Sequence, residues 1–391
     1  MSRSSPSTAA GDVRLAIYCD YPYRLDGAQL TAEQPVAIFL DSLSEHVDRL
    51  IMIGRLDPEG GRYPYAMPGA ELVALPFYSS GADPVALLRS APGTLAAFWR
   101  ALGEADVAWS LGPTPLSVLF ALLALVRGRR LVLGVRQDTP RLFAHRYPDR
   151  RLLRAGVGVL EGSYRLLSRI AATVVVGPDL ARRYRGARRL HETYISLLPS
   201  TRLAAPEDDE RRYDGDELRI LSVGRLDPEK NPLLLADVLA RALVDDSRWR
   251  LDVCGDGPLA GALAQRLQRL GVSDRARLHG HVPIDGGLLD LYRDSHVMLH
   301  VSFTEGVPQV LLEAFALRLP VVATAVGGVP GLVGDAGLLI APADPDPAAE
   351  ALGRIAGDAT LRAQLVERGS SRAREHTLER ESAELAAFLG A

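Results

Sequence analysis

The sequence predicts an α/β protein of two similar domains with a cleft between them, and three observations carry this. At 391 residues the chain is too long for one ordinary core. Short apolar, partly β-branched runs alternate with amphipathic stretches of helical period, the pattern of parallel sheets covered on both faces. Between the halves lies Ala204–Glu217, acidic and without apolar period, which reads as a surface loop near the domain boundary. We therefore expect a disordered tail over residues 1–11, a first domain over 12–200 and a second over 201–372. Ligands of open α/β sheets bind beyond the carboxyl ends of the strands, so two such edges facing each other make one site.

In the first half, strands are expected at Arg14–Cys19, Arg49–Ile53, Glu71–Pro76, Val107–Ser110, Leu131–Val135 and Ala172–Val176. The apolar run Leu116–Val126 falls short of the ~20 residues of a membrane span and reads as a buried helix. In the second half the strands are Leu218–Val223, Trp249–Cys254, Ala276–His279, Val297–Val301, Pro320–Thr324 and Leu338–Ile340. Helices fall between them at Pro232–Leu243, Leu259–Leu270 and Gln309–Leu319.

Composition narrows the function. A net charge of −3 gives no global field for nucleic acid. Cys19 and Cys254 lack metal-ligand spacing and fit buried free thiols in a reducing compartment. Met1–Gly11 has no apolar core and is not a secretory signal, so a cytoplasmic protein is expected.

Of the 45 Lys and Arg, a single residue is lysine, Lys230, in the run Gly224-Arg225-Leu226-Asp227-Pro228-Glu229-Lys230-Asn231. Arginine's fork and lysine's point charge are not interchangeable, and a compact ammonium suits a pyrophosphate. Gly224 lets the chain turn off the strand, Asn231 can cap the next helix, and Pro232 suits its first position. Two cations beside a helix start make a diphosphate site; the alternative is a solvated loop with Arg225–Asp227 or Lys230–Glu229 pairs.

After the strand at Val297 comes Ser302-Phe303-Thr304-Glu305-Gly306-Val307-Pro308-Gln309-Val310-Leu311-Leu312-Glu313. Amides around Val307, Gln309 and Val310 would lie free at a helix start, where the dipole also favours an anion. Glu313 follows about a turn and a half into an otherwise apolar helix. A carboxylate there can accept two hydrogen bonds from a vicinal diol such as ribose.

Together these motifs resemble the retaining GT-B glycosyltransferases of family four, over about Leu218 to Ile340. Val253-Cys254-Gly255-Asp256-Gly257-Pro258, Leu278-His279-Gly280-His281-Val282 and Gly327-Gly328-Val329-Pro330 are similar to further motifs of that family, in the same order. The resemblance implies the GT-B fold: two Rossmann-like domains, the second holding a nucleotide diphosphate sugar. It implies a retaining transfer to a hydroxyl acceptor, with no cofactor or metal, UDP as the first donor nucleotide and GDP as the second. Arg225 and Lys230 would hold the diphosphate, and Glu305 would contact the sugar and stabilise charge at its anomeric carbon. Glu313 would take the ribose, with Gly224, Gly306, Val307, Pro308 and Gln309 near sugar and phosphate and His281 and Val282 near the base. Residues 373–391 would form a helix crossing back to the first domain.

The first domain departs from the family. After its first strand the family has a glycine-rich loop facing the phosphates; here Asp20–Gln29 holds Gly27 alone. Where many members have a histidine, this chain reads Arg136-Gln137-Asp138-Thr139, so either Asp138 takes over that contact or the contact is missing. A sugar-nucleotide 2-epimerase and a non-catalytic sugar-nucleotide binding protein are the alternatives on this fold.

Asp344-Pro345-Asp346 reads as a helix cap rather than a metal motif. His279 and His281 read as strand-end residues, not zinc ligands. Gly54–Glu59 repeats the hexapeptide at Gly224–Glu229, but continues into Gly60–Pro64 with no lysine, and is read as a turn. Arg141–Arg189 carries twelve arginines against Asp149, Glu161 and Asp179, interleaved with Leu152, Leu153, Leu160, Leu166 and Leu167. Two readings stay open: peripheral contact with an anionic membrane, or a solvated face.

Overall fold

A computed structural model describes residues 13–27, 29–57, 64–77, 84–206 and 213–391. The expected tail 1–11, residues 58–63 after the first Gly-Arg-Leu-Asp copy and residues 207–212 of the acidic segment lie outside them.

The first domain runs β1 (Arg14–Asp26), β2 (Gln29–Ala32), α1 (Val36–Ser42), β3 (Arg49–Leu56), β4 (Tyr65–Met67), β5 (Ala70–Leu75), α2 (Pro84–Glu104), β6 (Val107–Gly112), α3 (Pro115–Val126), β7 (Arg130–Val135), α4 (Thr139–Arg146), α5 (Arg151–Ser168), β8 (Ala172–Val176), α6 (Pro178–Arg183) and β9 (Arg189–Thr193). Seven strands are parallel in the order β5-β3-β1-β6-β7-β8-β9. The connection reverses direction between β1 and β6.

The first-strand loop is not a loop. β1 continues to Asp26 and forms an antiparallel hairpin with β2, on which β4 adds a third strand. Gly27 sits exposed at the hairpin turn with φ +61, a value glycine adopts without a Cβ penalty. Alternation explains the extension: Tyr23 and Leu30 are buried, while their neighbours Arg24 and Gln29 face solvent.

The second domain runs β10 (Leu218–Val223), α7 (Leu233–Asp245), β11 (Trp249–Cys254), α8 (Ala260–Arg269), β12 (Ala276–Gly280), α9 (Leu288–Asp294), β13 (Val297–His300), α10 (Gln309–Ala316), β14 (Val321–Thr324), α11 (Val329–Val333), β15 (Leu338–Ile340), α12 (Pro345–Gly357), α13 (Ala359–Glu375) and α14 (Leu378–Gly390). Its sheet is parallel in the order β12-β11-β10-β13-β14-β15. The winding reverses between β10 and β13, so the loops leaving those two strands lie side by side above the carboxyl edge.

α14 lies against the first domain. Its Glu381 is buried and accepts hydrogen bonds from Thr193 Oγ1 and the Tyr194 amide, both at 2.9 Å. Leu385 and Leu389 join an apolar cluster that also takes in β1, Leu197–Leu198 of the connection and Leu311–Phe315 of α10. One core therefore bridges both domains on the side opposite α2, α3 and α5, which cover the other face of the first sheet.

Several local expectations need correction. Asn231 does not cap α7: it ends a 3-10 turn over Pro228–Lys230 in the left-handed region (φ 52), which Asn tolerates, and Pro232 is the residue before the helix. α3 carries a capping box of Thr114 and Ser117, but it is buried on one side only, with Leu122, Leu125 and Val126 exposed. The cap expected at Asp344 is present: its carboxylate accepts the Asp346 amide at the start of α12.

Candidate active site

The switch point of the second sheet gathers the motif residues. Gly224 leaves β10 at φ 155, and its carbonyl oxygen lies so close to Gly255 that a Cβ there would stand 1.8 Å away. Gly255 in turn donates to the Gly280 carbonyl at 2.7 Å, so the ends of β10, β11 and β12 meet backbone to backbone. The loop after β13 is pinned to the loop after β10 by Phe303 N–H donating to the Glu229 carbonyl at 2.8 Å.

This pinning brings Lys230 and Glu305, 75 residues apart, into contact: Nζ donates to Oε1 at 2.5 Å. The same oxygen accepts from Ser302 Oγ at 2.7 Å and lies 3.0 Å from His300 Nε2. Burial pushes the Glu305 carboxyl up, but the ammonium and the His300 contact outweigh it and hold the group well below the usual carboxylate range. Glycines make this packing possible: a Cβ on Gly327 would meet the Glu305 carbonyl oxygen at 1.9 Å, and one on Gly328 the Gly306 oxygen at 2.2 Å.

Glu313 faces the interior of α10, buried, and accepts from Tyr292 Oη of α9 at 2.8 Å. Burial with no cation to offset it pushes its carboxyl up to about 7. Tyr65 of the first domain lies close enough to feel it; burial raises its hydroxyl to about 12 and the Glu313 charge adds to this. Pro308 precedes α10, so the Gln309 and Val310 amides stand at its start, where helical amides have no intrahelical acceptor. His281 is exposed beyond β12, and Val282 packs against the core.

Arg225 is half-exposed and engaged: its guanidinium pairs with Asp227 and, at 3.4 Å, with Glu229. These two carboxylates are almost fully buried and are shared with Arg146 of α4, at 3.5 and 3.8 Å. Two arginines, one from each domain, thus neutralise one acidic pair under the loop. His145 stacks on Phe303 beside them. Arg146→Ala is expected to cost about 1 kcal/mol of stability in denaturant unfolding, since Arg225 still serves the pair and Arg146 is one-third exposed. Unchanged stability would mean that the contact holds nothing.

Asp138 is committed elsewhere. Its Oδ1 accepts the Arg141 amide, capping α4, and its Oδ2 pairs with Arg183 at 2.5 Å. The Asp-Thr-Pro order accounts for this: Asp precedes a proline-containing first turn, where its oxygen serves a free helix amide. First-domain backbone does reach the site, since a Cβ on Gly306 would lie 2.5 Å from the Arg136 carbonyl and one on Gly177 2.3 Å from Val307. Gly27, at its hairpin turn, has open space around it.

Sequence reasoning missed His300, Ser302, Tyr292 and Arg146; of the two ion pairs it held open, Arg225–Asp227 is present, while Glu229 meets Arg225 and Arg146 instead of Lys230. His300 carried a signal, an imidazole ending a run of apolar residues in β13. Arg146 and Tyr292 carried none, because their partners come from other elements. His279 pairs with Asp252 at 2.6 Å, and among the described residues no group of acidic, His or Cys side chains could hold a metal ion.

Comparison with known proteins bears on both domains. Residues 206–372 match the model of the family "Glycosyl transferases group 1". The chain is 39% identical over 173 residues to the D-inositol 3-phosphate glycosyltransferase of Streptomyces griseus, covering 41% of this chain and 35% of that one. It spans about a fifth to about a third of the length of the curated relatives it matches. Sucrose-phosphate synthase of Thermosynechococcus elongatus superposes with a TM-score of 0.73 over 96% of this chain and 98% of that chain, at 18% identity. HepE of Anabaena in complex with UDP-glucose gives 0.67 over 96% of this chain and all of its own, at 18% identity. The overall architecture is the GT-B fold.

Proposed function

We propose that the chain is a retaining glycosyltransferase of group 1, family four. It moves a sugar from a nucleotide diphosphate sugar, UDP-linked by first preference, to a hydroxyl of a glycan, lipid-linked glycan or secondary metabolite. One observation carries this reading: a lysine and a buried carboxylate touch at the switch point of the second sheet, with a second buried carboxylate, Glu313, in the helix α10 that follows the Glu305 loop. The match of residues 206–372 supports the class, and a GT-B neighbour solved with UDP-glucose supports the donor.

On this reading Lys230 leaves or shares Glu305 when the donor enters and, with Arg225, receives the departing diphosphate. Glu305, ionised throughout the neutral range, faces positive charge at the anomeric carbon. Stabilisation is electrostatic, a carboxylate on one side and a cation-held diphosphate on the other, so neither a metal nor a protein nucleophile is required. The leaving phosphate accepts the acceptor's proton on the same face, which retains configuration. Glu313 binds the ribose diol. The basic Arg141–Arg189 region extends the reading to peripheral contact with an anionic membrane. Among the described residues no helix is long and apolar enough to cross one.

A thermal-shift series with UDP, GDP, ADP and dTDP tests the donor. UDP at a hundred times its dissociation constant should stabilise by about 2.7 kcal/mol, and the others by less. A larger shift with GDP would reassign the base, and no shift with any would remove the donor-site reading.

A further inference from the structure

We propose that the first domain docks on an anionic membrane through the outer face of α5, with the phosphate of an anionic phospholipid held by Arg165 and Arg169 at a cavity beside Leu166. This rests on the reading of peripheral contact and names its element and ligand.

The outward face of α5 is built unlike an ordinary solvated helix. Leu152, Val159 and Leu166 recur every seventh residue and are 90%, 69% and 64% exposed, and Ile170 just beyond is 55% exposed. At ~100° per residue these four share one side of the helix. The leucines at 153, 160 and 167, which the sequence groups with them, turn inward instead. Arg151, Arg154, Arg165 and Arg169 line the flank between the aliphatic stripe and the buried side, and none forms a salt bridge among the described residues. The one acid of the helix, Glu161, is buried and taken up by Arg183 and Tyr184. The outer face therefore carries aliphatic groups and unpaired positive charge, with no carboxylate.

A cavity of about 380 Å³ opens at the carboxyl half of this helix, lined by Gly162, Arg165, Ser168, Arg169, Arg183 and Gly186. Its Arg183 is already neutralised by Asp138 and Glu161, so the charge available to a ligand is that of Arg165 and Arg169. Leu166 belongs both to the cavity wall and to the exposed stripe. A headgroup phosphate in the cavity would thus place acyl chains along the aliphatic residues, the geometry of a helix lying in a membrane interface. The neighbouring helices of the same layer add Leu95 and Trp99 from α2 and Leu122, Leu125 and Val126 from α3. With the α5 stripe these make nine of the fifteen exposed large hydrophobics among the described residues. Charge selects the occupant. A second copy of this chain would set arginine ridge against arginine ridge, whereas an anionic leaflet is complementary to it.

The test is sedimentation of the full chain with large vesicles of phosphatidylcholine, with and without 30% phosphatidylglycerol. Wild type should bind the anionic vesicles at least tenfold more tightly than the neutral ones and lose this in high salt. Leu152→Glu/Leu166→Glu and Arg165→Gln/Arg169→Gln should each weaken binding at least tenfold. Both should keep the wild-type thermal transition and its shift with UDP, because the altered side chains are exposed and belong to none of the motifs placed at the donor site. If wild type ignores anionic vesicles, the peripheral reading and this site both fall. If wild type binds and both variants bind equally well, the contact stands but not through α5. A wild-type dimer dispersed by Leu152→Glu/Leu166→Glu, with no vesicle binding, would assign the face to a second copy and overturn the proposal.

Discussion

Lys230→Ala is expected to lower turnover by about two to three orders of magnitude and to destabilise the donor-free protein as well. The two losses share a cause. Glu305 is buried, and among the described residues one Lys or Arg touches it, the Lys230 ammonium 2.5 Å away. Removing one partner of a fully buried pair costs about 3–5 kcal/mol; Lys230 is a quarter exposed, so about 2 kcal/mol is a fair expectation. Ser302 and His300 remain as neighbours of the same oxygen, but they do not replace a full positive charge. The double variant Lys230→Ala/Glu305→Gln should recover most of the lost stability, because no charge is then buried, while activity stays lost. Denaturant unfolding and donor turnover on the same samples separate these effects. The wild-type advantage also depends on pH in a set direction. Glu305 is held below the ordinary carboxylate range, so its contribution is complete above that range and fades as pH falls through its folded value. Wild-type turnover in Lys230→Ala would remove the diphosphate role. A double variant no more stable than Lys230→Ala would mean that the pair contributes nothing to the resting fold.

The second domain was nearly all legible in the sequence, and the reason is local. Parallel strands buried on both faces read as short apolar runs, and Leu218–Val223 and Trp249–Cys254 match β10 and β11 residue for residue. The first domain was less legible because its edge uses antiparallel pairing. Tyr21–Asp26 is rich in polar and turn-forming residues and reads as a loop, yet it finds a partner in β2, itself backed by β4, that no local pattern announces. The site shows the same division. Lys230 stood out by its rarity and Glu313 as the one carboxylate of an apolar helix, while the role of Glu305 came from the family resemblance. Asp138 could be named but not its ties, because a helix cap and a ligand carboxylate look alike in sequence, and its pair with Arg183 joins residues 45 positions apart. The Arg225–Asp227 pair was one of the readings held open, but not its burial, because the same carboxylate also meets Arg146 of the other domain. Long-range ion pairs carry no periodicity, so they stay invisible until the topology places their partners together.

Glu313→Gln is expected to stabilise the donor-free protein at pH 8 while weakening UDP binding about tenfold or more. Glu313 is buried in α10 with a single hydrogen bond from Tyr292 and, among the described residues, no salt bridge. Its carboxyl is raised from an ordinary value near 4.5 to about 7. Between those values the folded state holds a proton that the unfolded state has released. Stability therefore falls as pH rises across that window, and the penalty is complete above about pH 7. At ~1.4 kcal/mol per unit the penalty reaches about 3 kcal/mol at most. The amide removes it without losing the Tyr292 contact, since Oε1 still accepts. The gain in melting temperature over wild type should be largest at pH 8 and should vanish near pH 4.5. The donor reverses the balance: two ribose hydroxyls donating to an ionised carboxylate offset its desolvation, and hydrogen bonds to a charged group contribute about 1.5–3 kcal/mol. Wild type should accordingly bind UDP more weakly at pH 6 than at pH 8, and the variant should show little of that dependence. A carboxylate kept here at a cost to the empty protein is what a ligand contact predicts and a structural glutamate does not. Equal melting temperatures for variant and wild type across this pH range, with unchanged UDP affinity, would remove Glu313 from the site.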